Sequence, residues 1–150
     1  MKKYIFVLVL ILSSLSCAQN FEMAFLRIEQ AFRTASPSNL WPLISSGMSA
    51  HIEDSLYLEI SSMQFESILK EFFQNKDYIA FRFAGKFAHC INAEGNGVMT
   101  YFIDRKKESI NVDVYLIDFK EETLISAIDI SNCPSPIVFY NFLVERNAIK

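Results

Sequence analysis

The sequence predicts an α+β fold in which N-terminal helices pack on a curved antiparallel sheet. Apolar side chains recur every three to four residues near the N-terminus and again before residue 75, which is the period of an amphipathic helix. From residue 78 onward they mostly alternate with polar side chains, which is the period of a half-buried strand. Short polar stretches separate these later segments, and their lengths suit antiparallel hairpins.

The composition is that of one globular domain with a substantial core. Of 150 residues, 51% are hydrophobic and 21% are charged, and the chain has only four glycines and four prolines. Disordered and linker-rich architectures are therefore excluded. The formal net charge is −3, and it becomes −5 without Lys2 and Lys3. Because an acidic chain does not favour a phosphate backbone, we expect no nucleic acid partner.

Residues 1–18 are predicted to be a secretory signal peptide. Two lysines precede nine apolar residues, which are too few to span a bilayer, since a spanning helix needs roughly 20. Small residues then favour cleavage after Ala18, which would release a periplasmic or secreted protein. The alternative is lipidation of Cys17, which would give a membrane-anchored lipoprotein. In either case the sequence predicts export.

The first elements of the mature chain are predicted to be helical. A helix over residues 20–35 would bury one apolar face, Pro37 and its polar neighbours would interrupt it, and a short helical turn would follow around residues 40–44. The apolar residues of the first face are Phe21, Ala24, Phe25, Ile28 and Phe32.

One or two short strands are predicted between residues 49 and 60, where apolar and polar side chains alternate. Ser61 and Gln64 then have the spacing of a capping box, which predicts a helix over residues 63–74. The apolar residues of that helix are Phe65, Ile68, Leu69, Phe72 and Phe73.

Four long strands are predicted to complete the domain, which spans residues 19–131. A proline-containing break follows, and the extension at 132–150 is predicted to form a short helix packed on the domain or on a second copy. The predicted strands are residues 78–91, 97–105, 109–119 and 123–131, and the turns between them are residues 92–96, 106–108 and 120–122.

This order of elements resembles the cone-shaped fold of nuclear transport factor two, ketosteroid isomerase and the SnoaL-like proteins. The leader, the pattern Phe65-x-x-Ile68-Leu69-Lys70-x-Phe72-Phe73 and the last strand at residues 124–130 resemble a family of exported bacterial proteins of unknown function in that cystatin-like superfamily. The resemblance covers residues 21–131. It implies a helix-covered cone and, in the enzymes of the superfamily, a polar group inside the cone that acts as a base or hydrogen-bond donor.

His89 is the candidate for such a group. Alternation places it on one strand face with Ile79, Phe81, Phe83, Gly85 and Phe87, at the rim of an aromatic pocket. It could act there as a general base with Tyr101 or Asp118 in support. A bulge at Gly85 would reverse the face of every residue after it. The same alternation places Asp113, Tyr115 and Asp129 on the sheet face away from the helices.

Four aromatic residues are the candidate ligand-binding residues: Phe72, Phe73, Phe81 and Phe83. They would form a pocket wall or simply fill the core. We therefore expect a non-enzymatic envelope domain that binds a small apolar ligand in its cone or a protein partner on its sheet. One alternative is an isomerase-like or dehydratase-like enzyme that uses His89. The other is a homodimeric structural module formed through the exposed sheet and residues 137–144.

No metal, cofactor or disulfide is predicted. Cys90 ends the first long strand and Cys133 follows the fourth, with two strands between them, so they should lie at opposite edges of the sheet, unpaired. His51, Glu53 and Asp54 are close in the chain, but alternation splits them between two faces and no second histidine is near enough for a metal site. Phosphate-binding glycine loops are also absent from the sequence.

Overall fold

The computed structural model describes residues 19–120 and 122–132. The predicted signal peptide, the lipidation candidate Cys17 and the predicted helix of the C-terminal extension lie outside these residues.

Two α-helices, a 3-10 helix and seven strands make up the described chain. The helices are α1 at residues 19–33, the 3-10 helix Pro37–Leu43 and α2 at Ser62–Phe73. The strands are β1 (Ile44–Ile52), β2 (Ser55–Ile60), β3 (Asp77–Ala80), β4 (Phe83–Ala88), β5 (Asn92–Ile103), β6 (Lys106–Phe119) and β7 (Glu122–Ser131).

All seven strands form one sheet, in the order β2-β1-β7-β6-β5-β3, and β4 also pairs with β5. Every pairing is antiparallel except that between β1 and β7, which are parallel. The sheet is therefore mixed rather than purely antiparallel as predicted. The parallel pairing joins the N-terminal hairpin to the C-terminal strands, which are far from it in sequence.

The two predicted helices and the capping box are confirmed. The predicted apolar face of α1 is buried, from Phe21 through Phe32. At the start of α2, the Gln64 backbone N–H donates to Ser61 Oγ (3.3 Å) and the Ser61 N–H donates to Gln64 Oε1 (2.9 Å). Both exchanges satisfy backbone groups that the first helical turn leaves unpaired. Both helices pack on the same face of the sheet.

The predicted boundaries of the long strands were wrong in three places. The first strand is broken at residues 81–82 into β3 and β4, while residues 92–96 and 106–108 belong to β5 and β6 instead of forming turns. The tight turn between β5 and β6 consists of Asp104 and Arg105, both with positive φ (50° and 67°). It therefore achieves without glycine a conformation that usually requires it.

Bulges change which side chains face the helices. Between Tyr115 and Leu116 the register with β7 shifts by one residue, so Ile125 enters the core and Leu124 does not. A second shift falls between Phe83 and Gly85. It moves Phe87 to the face away from the helices, as a bulge at Gly85 was predicted to do.

Within the described part of the chain, no helix combines the length and the apolar character needed to cross a bilayer.

Candidate functional site

The space between the helices and the sheet is occupied by an aromatic core. Phe25 and Phe81 each lie 4.9 Å from Phe83, measured between ring centroids, and Phe32 lies 5.2 Å from Phe81 and 5.5 Å from Phe73. These edge-on and tilted contacts are the arrangements that aromatic rings favour in close-packed interiors. The rings thus contact one another in one continuous cluster.

A cleft of about 460 Å³ opens at one end of the cone, where α2 ends beside the β1–β2 turn and the end of β5. A second cleft shares three residues with it and adds Asp77 and Asp104. The volume falls within the range of small-molecule sites. The first cleft is lined by Ile52, Glu53, Ser55, Tyr57, Ile68, Glu71, Phe72, Gln74, Asn75, Lys76 and Ile103. We call the two clefts together the acidic cleft, because their linings include four carboxylates and one ammonium group.

The ammonium group of Lys76 is held at the inner wall of the acidic cleft. Its side chain is 7% exposed, and Nζ donates to Glu53 Oε1 (3.2 Å) and to the Phe72 carbonyl oxygen (2.7 Å). Nζ also lies 3.9 Å from the centroid of the Phe72 ring and 5.1 Å from that of Tyr101. A carboxylate, a carbonyl and aromatic faces are the groups that stabilise a cation.

Tyr101 lies beside this ammonium group and stays protonated at neutral pH. Burial raises the pKa of its phenol, and the negative charges of Glu53 and Glu108 raise it further.

The sheet face away from the helices carries a row of polar residues. The strand register places His51 of β1 beside Asp129 of β7, Asp129 beside Asp113 of β6, and Asp113 beside Asn96 of β5. We call this side of the sheet the open face. It confirms the predicted orientation of Asp113 and Asp129, although Asp129 is only 3% exposed.

Asp129 is the centre of the polar contacts on the open face. His51 Nδ1 lies 3.2 Å from both of its carboxylate oxygens, and Ser131 Oγ donates to Oδ1 (2.6 Å). Burial raises the pKa of the Asp113 carboxyl, and the charges of Asp129 and Glu94 add to the effect. Burial, followed by the charge of Asp113, raises the pKa of Tyr115 to about 12. A histidine oriented by a carboxylate has the geometry of a general base, but this pair lies on a sheet face outside the acidic cleft.

Comparison with known proteins identifies the fold. No protein-family model and no curated protein matches the chain. A DUF4783 family protein from Bacteroides uniformis matches with a TM-score of 0.63 and 13% identity, over 73% of this chain and 96% of that chain. An NTF2-like protein from Anabaena variabilis matches with a TM-score of 0.61 and 8% identity, over 78% and 94%. The chain has the NTF2-like fold.

A third match to this NTF2-like chain is a hypothetical protein of ketosteroid isomerase-like fold from Catenulispora acidiphila, solved in complex with trimethylamine. Its TM-score is 0.58 at 10% identity, over 71% of this chain and 82% of that chain. Structural similarity at such low identity shows the fold alone, and it confirms the predicted fold class. The activity has to be argued from this chain's own residues.

The NTF2-like fold does not bring His89 together with Tyr101. His89 is exposed in the connection between β4 and β5, where its N–H donates to the Asn92 carbonyl oxygen (2.7 Å). Tyr101 lies nine residues beyond Asn92 on β5, which places it about 30 Å from this end of the strand at roughly 3.3 Å per residue. Asp118 is near the His89 end, because its N–H donates to the carbonyl oxygen of Ile91 (2.9 Å).

Of the four predicted ligand-binding phenylalanines, the structure places one at the cleft. Phe72 lines the acidic cleft, whereas Phe73, Phe81 and Phe83 belong to the aromatic core. Cys90 is exposed and Cys133 lies outside the described residues, so the absence of a disulfide stays a prediction. Among residues 19–120 and 122–132, no three His, Cys, Asp or Glu side chains are grouped as metal ligands would be.

Neither the place of Glu71 and Lys76 in the acidic cleft nor the contact of His51 with Asp129 was predicted from the sequence. Glu71 lies in the last turn of α2 and Lys76 just beyond it, and neither residue belongs to a recognisable sequence motif. The contact of His51 with Asp129 depends on the parallel pairing of β1 with β7, which joins residues 78 positions apart.

Proposed function

We propose that this NTF2-like domain is a non-catalytic binding module and that the acidic cleft binds a small organic amine in its protonated form. The observation that supports this most directly is the environment of Lys76. Its ammonium group already lies between the Glu53 carboxylate, the Phe72 carbonyl and the Phe72 ring. The inner wall of the cleft is thus built from groups that accept a cation.

Charge in the rest of the acidic cleft favours the same class of ligand. Glu53 pairs with Lys76, and three further carboxylates line the two adjoining clefts: Glu71 in the first, and Asp77 and Asp104 in the second. Ile68, Tyr57 and Ile103 supply an apolar wall for the carbon atoms of a ligand. More than half of the residues that line the first cleft are polar or charged, which suits a small charged ligand better than an apolar one.

The ligand differs from the apolar molecule expected inside the cone, because aromatic rings occupy the interior. The fold neighbour solved with trimethylamine shows that a protein of this fold can hold a small amine. The proposal for this chain rests on its own residues.

Titration with three probes of similar shape tests the proposal: benzylammonium, benzyl alcohol and benzoate, followed by calorimetry or by NMR chemical shifts. We expect benzylammonium to bind most tightly and benzoate not to bind. Glu71→Gln should weaken benzylammonium binding by up to about fivefold, which corresponds to the loss of one exposed charge pair. Lys76→Met should strengthen it, because a competing positive charge is removed.

Glu122→Gln is the matched control, since it removes the same charge from an exposed residue of β7 outside the acidic cleft. Its affinity for benzylammonium should equal that of the unchanged chain. Equal binding of benzoate and benzylammonium, or no binding of either, would contradict the proposal.

We also propose that the domain works in the cell envelope, on the strength of the leader at residues 1–18. The mass of the mature protein isolated from its own cells tests this. A chain beginning at Gln19 supports the soluble exported form and a lipidated Cys17 supports the anchored form, whereas an intact Met1 would contradict export.

A further inference from the structure

The centre of the open face is buried although it faces away from both helices. Ala127 is 1% exposed, Ser131 2%, Asp129 3% and Ser49 4%, and these residues lie on the adjacent strands β1 and β7. They are small or polar, and the side chains of an uncovered antiparallel or mixed sheet face are normally solvated. Their burial indicates that a layer of protein lies over β7.

The burial is confined to a strip. On the same face, Val98 of β5 is 51% exposed, Leu58 of β2 is 50% and Phe87 of β4 is 55%. The middle of β5 and the outer parts of β2 and β4 are thus open to solvent, while Ala127, Asp129 and Ser131 of β7 are not. On β6, Asp113 and Tyr115 are half-buried, and Asn92 at the start of β5 is buried. A narrow cover over the middle of the sheet accounts for this pattern.

None of the elements the structure describes can supply this cover. The helix α1, the 3-10 helix and α2 all contribute side chains to the core on the opposite face. All seven strands are in the sheet itself.

We propose that residues 137–144 of the same chain lie across the open face, along β7. The chain leaves β7 at Ser131, at one end of the buried strip, and continues for 18 residues beyond Asn132. Residues 137–144 are Ile, Val, Phe, Tyr, Asn, Phe, Leu and Val, without a charged residue. The segment therefore adds no negative charge next to Asp113 and Asp129.

The lengths are compatible. Ser131 pairs with Asn111 of β6, and Ile117, six residues further along β6, marks the far end of the buried strip. The strip is therefore about 20 Å long. Eight residues cover about 12 Å as a helix and about 26 Å when extended.

Modification of histidine with diethyl pyrocarbonate, read by mass spectrometry, tests the proposal. The chain has two histidines. The His51 side chain is 13% exposed beside Asp129 on the open face, whereas His89 is exposed and serves as an internal reference. In the full chain we expect His51 to react more slowly than His89. In a chain that ends at Asn132, the rate at His51 should rise several-fold while that at His89 stays unchanged.

A full-length variant covers the case in which the shortened chain does not fold. Phe139→Asp places a charge in the apolar segment and should release it, raising the His51 rate in the same way. Asn147→Asp adds the same charge outside the segment and should leave the rate unchanged. Protection of His51 that persists in the folded shortened chain would overturn the proposal. Protection of the full chain that disappears on dilution would also overturn it, in favour of a second copy.

Discussion

Gly95 and Gly97 of β5 make room for the aromatic core. A Cβ atom on Gly95 would lie 2.5 Å from Phe25 Cε1, and one on Gly97 would lie 2.6 Å from the carbonyl oxygen of Arg82. The first obstacle is a side chain, but the second is backbone that is fixed by the start of β4. Two glycines therefore occur in the middle of β5 because the Phe25 ring and the Arg82 backbone pack too closely to leave room for a side chain.

Gly97→Ala should lower the free energy of unfolding by about 1–3 kcal/mol, because the added methyl group overpacks a site bounded by backbone. Urea denaturation followed by circular dichroism measures this. Asn96→Ala is the control, since Asn96 is exposed on the open face and its replacement should cost less than about 0.5 kcal/mol. Equal stability of Gly97→Ala and the unchanged chain would show that the contact with Arg82 relaxes without cost.

At the scale of elements, α2 is the clearest case of a helix determined by local signals. Its capping box satisfies backbone groups at the first turn, and its buried residues Phe65, Leu69, Phe72 and Phe73 form one face. The helix positions the acidic cleft, because Glu71, Phe72 and Lys76 lie at or just beyond its C-terminal end.

Ser61→Ala should destabilise the domain by about 1 kcal/mol through loss of the N-cap. Thermal or chemical unfolding measures the change. Ser62→Ala makes the same chemical substitution one residue later, inside the helix, and should cost less. If both variants lose the same stability, the capping interaction contributes nothing measurable.

At the scale of the whole molecule, the sheet separates an aromatic core from a face rich in carboxylates. Asp113, Asp129 and Glu94 lie on neighbouring strands of the open face, with His51 as the nearby basic group. The pKa of Asp113 is raised above its ordinary value by burial and by these charges. The folded state therefore binds a proton at Asp113 more tightly than the unfolded state does.

The stability of the fold therefore falls as the pH rises from the ordinary pKa of a carboxyl group to the higher pKa that Asp113 has in the folded state. Above that range, the ionised Asp113 destabilises the fold. Asp113→Asn should raise the free energy of unfolding at neutral pH. The gain should shrink as the pH falls below 3.8, the ordinary pKa, where the carboxyl is neutral in both states. Denaturation curves at several pH values test this, with Asp104→Asn, in the β5–β6 turn, as the control. A gain that does not depend on pH would rule out the electrostatic cause.

The sequence by itself determined the fold class, the two amphipathic helices, the capping box and the faces of most strands. Each of these depends on neighbours within a few residues, so periodicity and spacing carry the information. Tertiary structure alone decided the parallel pairing of β1 with β7, the bulge that moved Ile125 into the core, and the strand at residues 92–96. It also assembled the acidic cleft from the end of α2, a hairpin turn and the end of β5. The physical reason is that these features depend on contacts between segments that are distant in the sequence. At residues 92–96, the room that Phe25 and Phe83 require beside Gly95 outweighs the local preference of glycine for a turn.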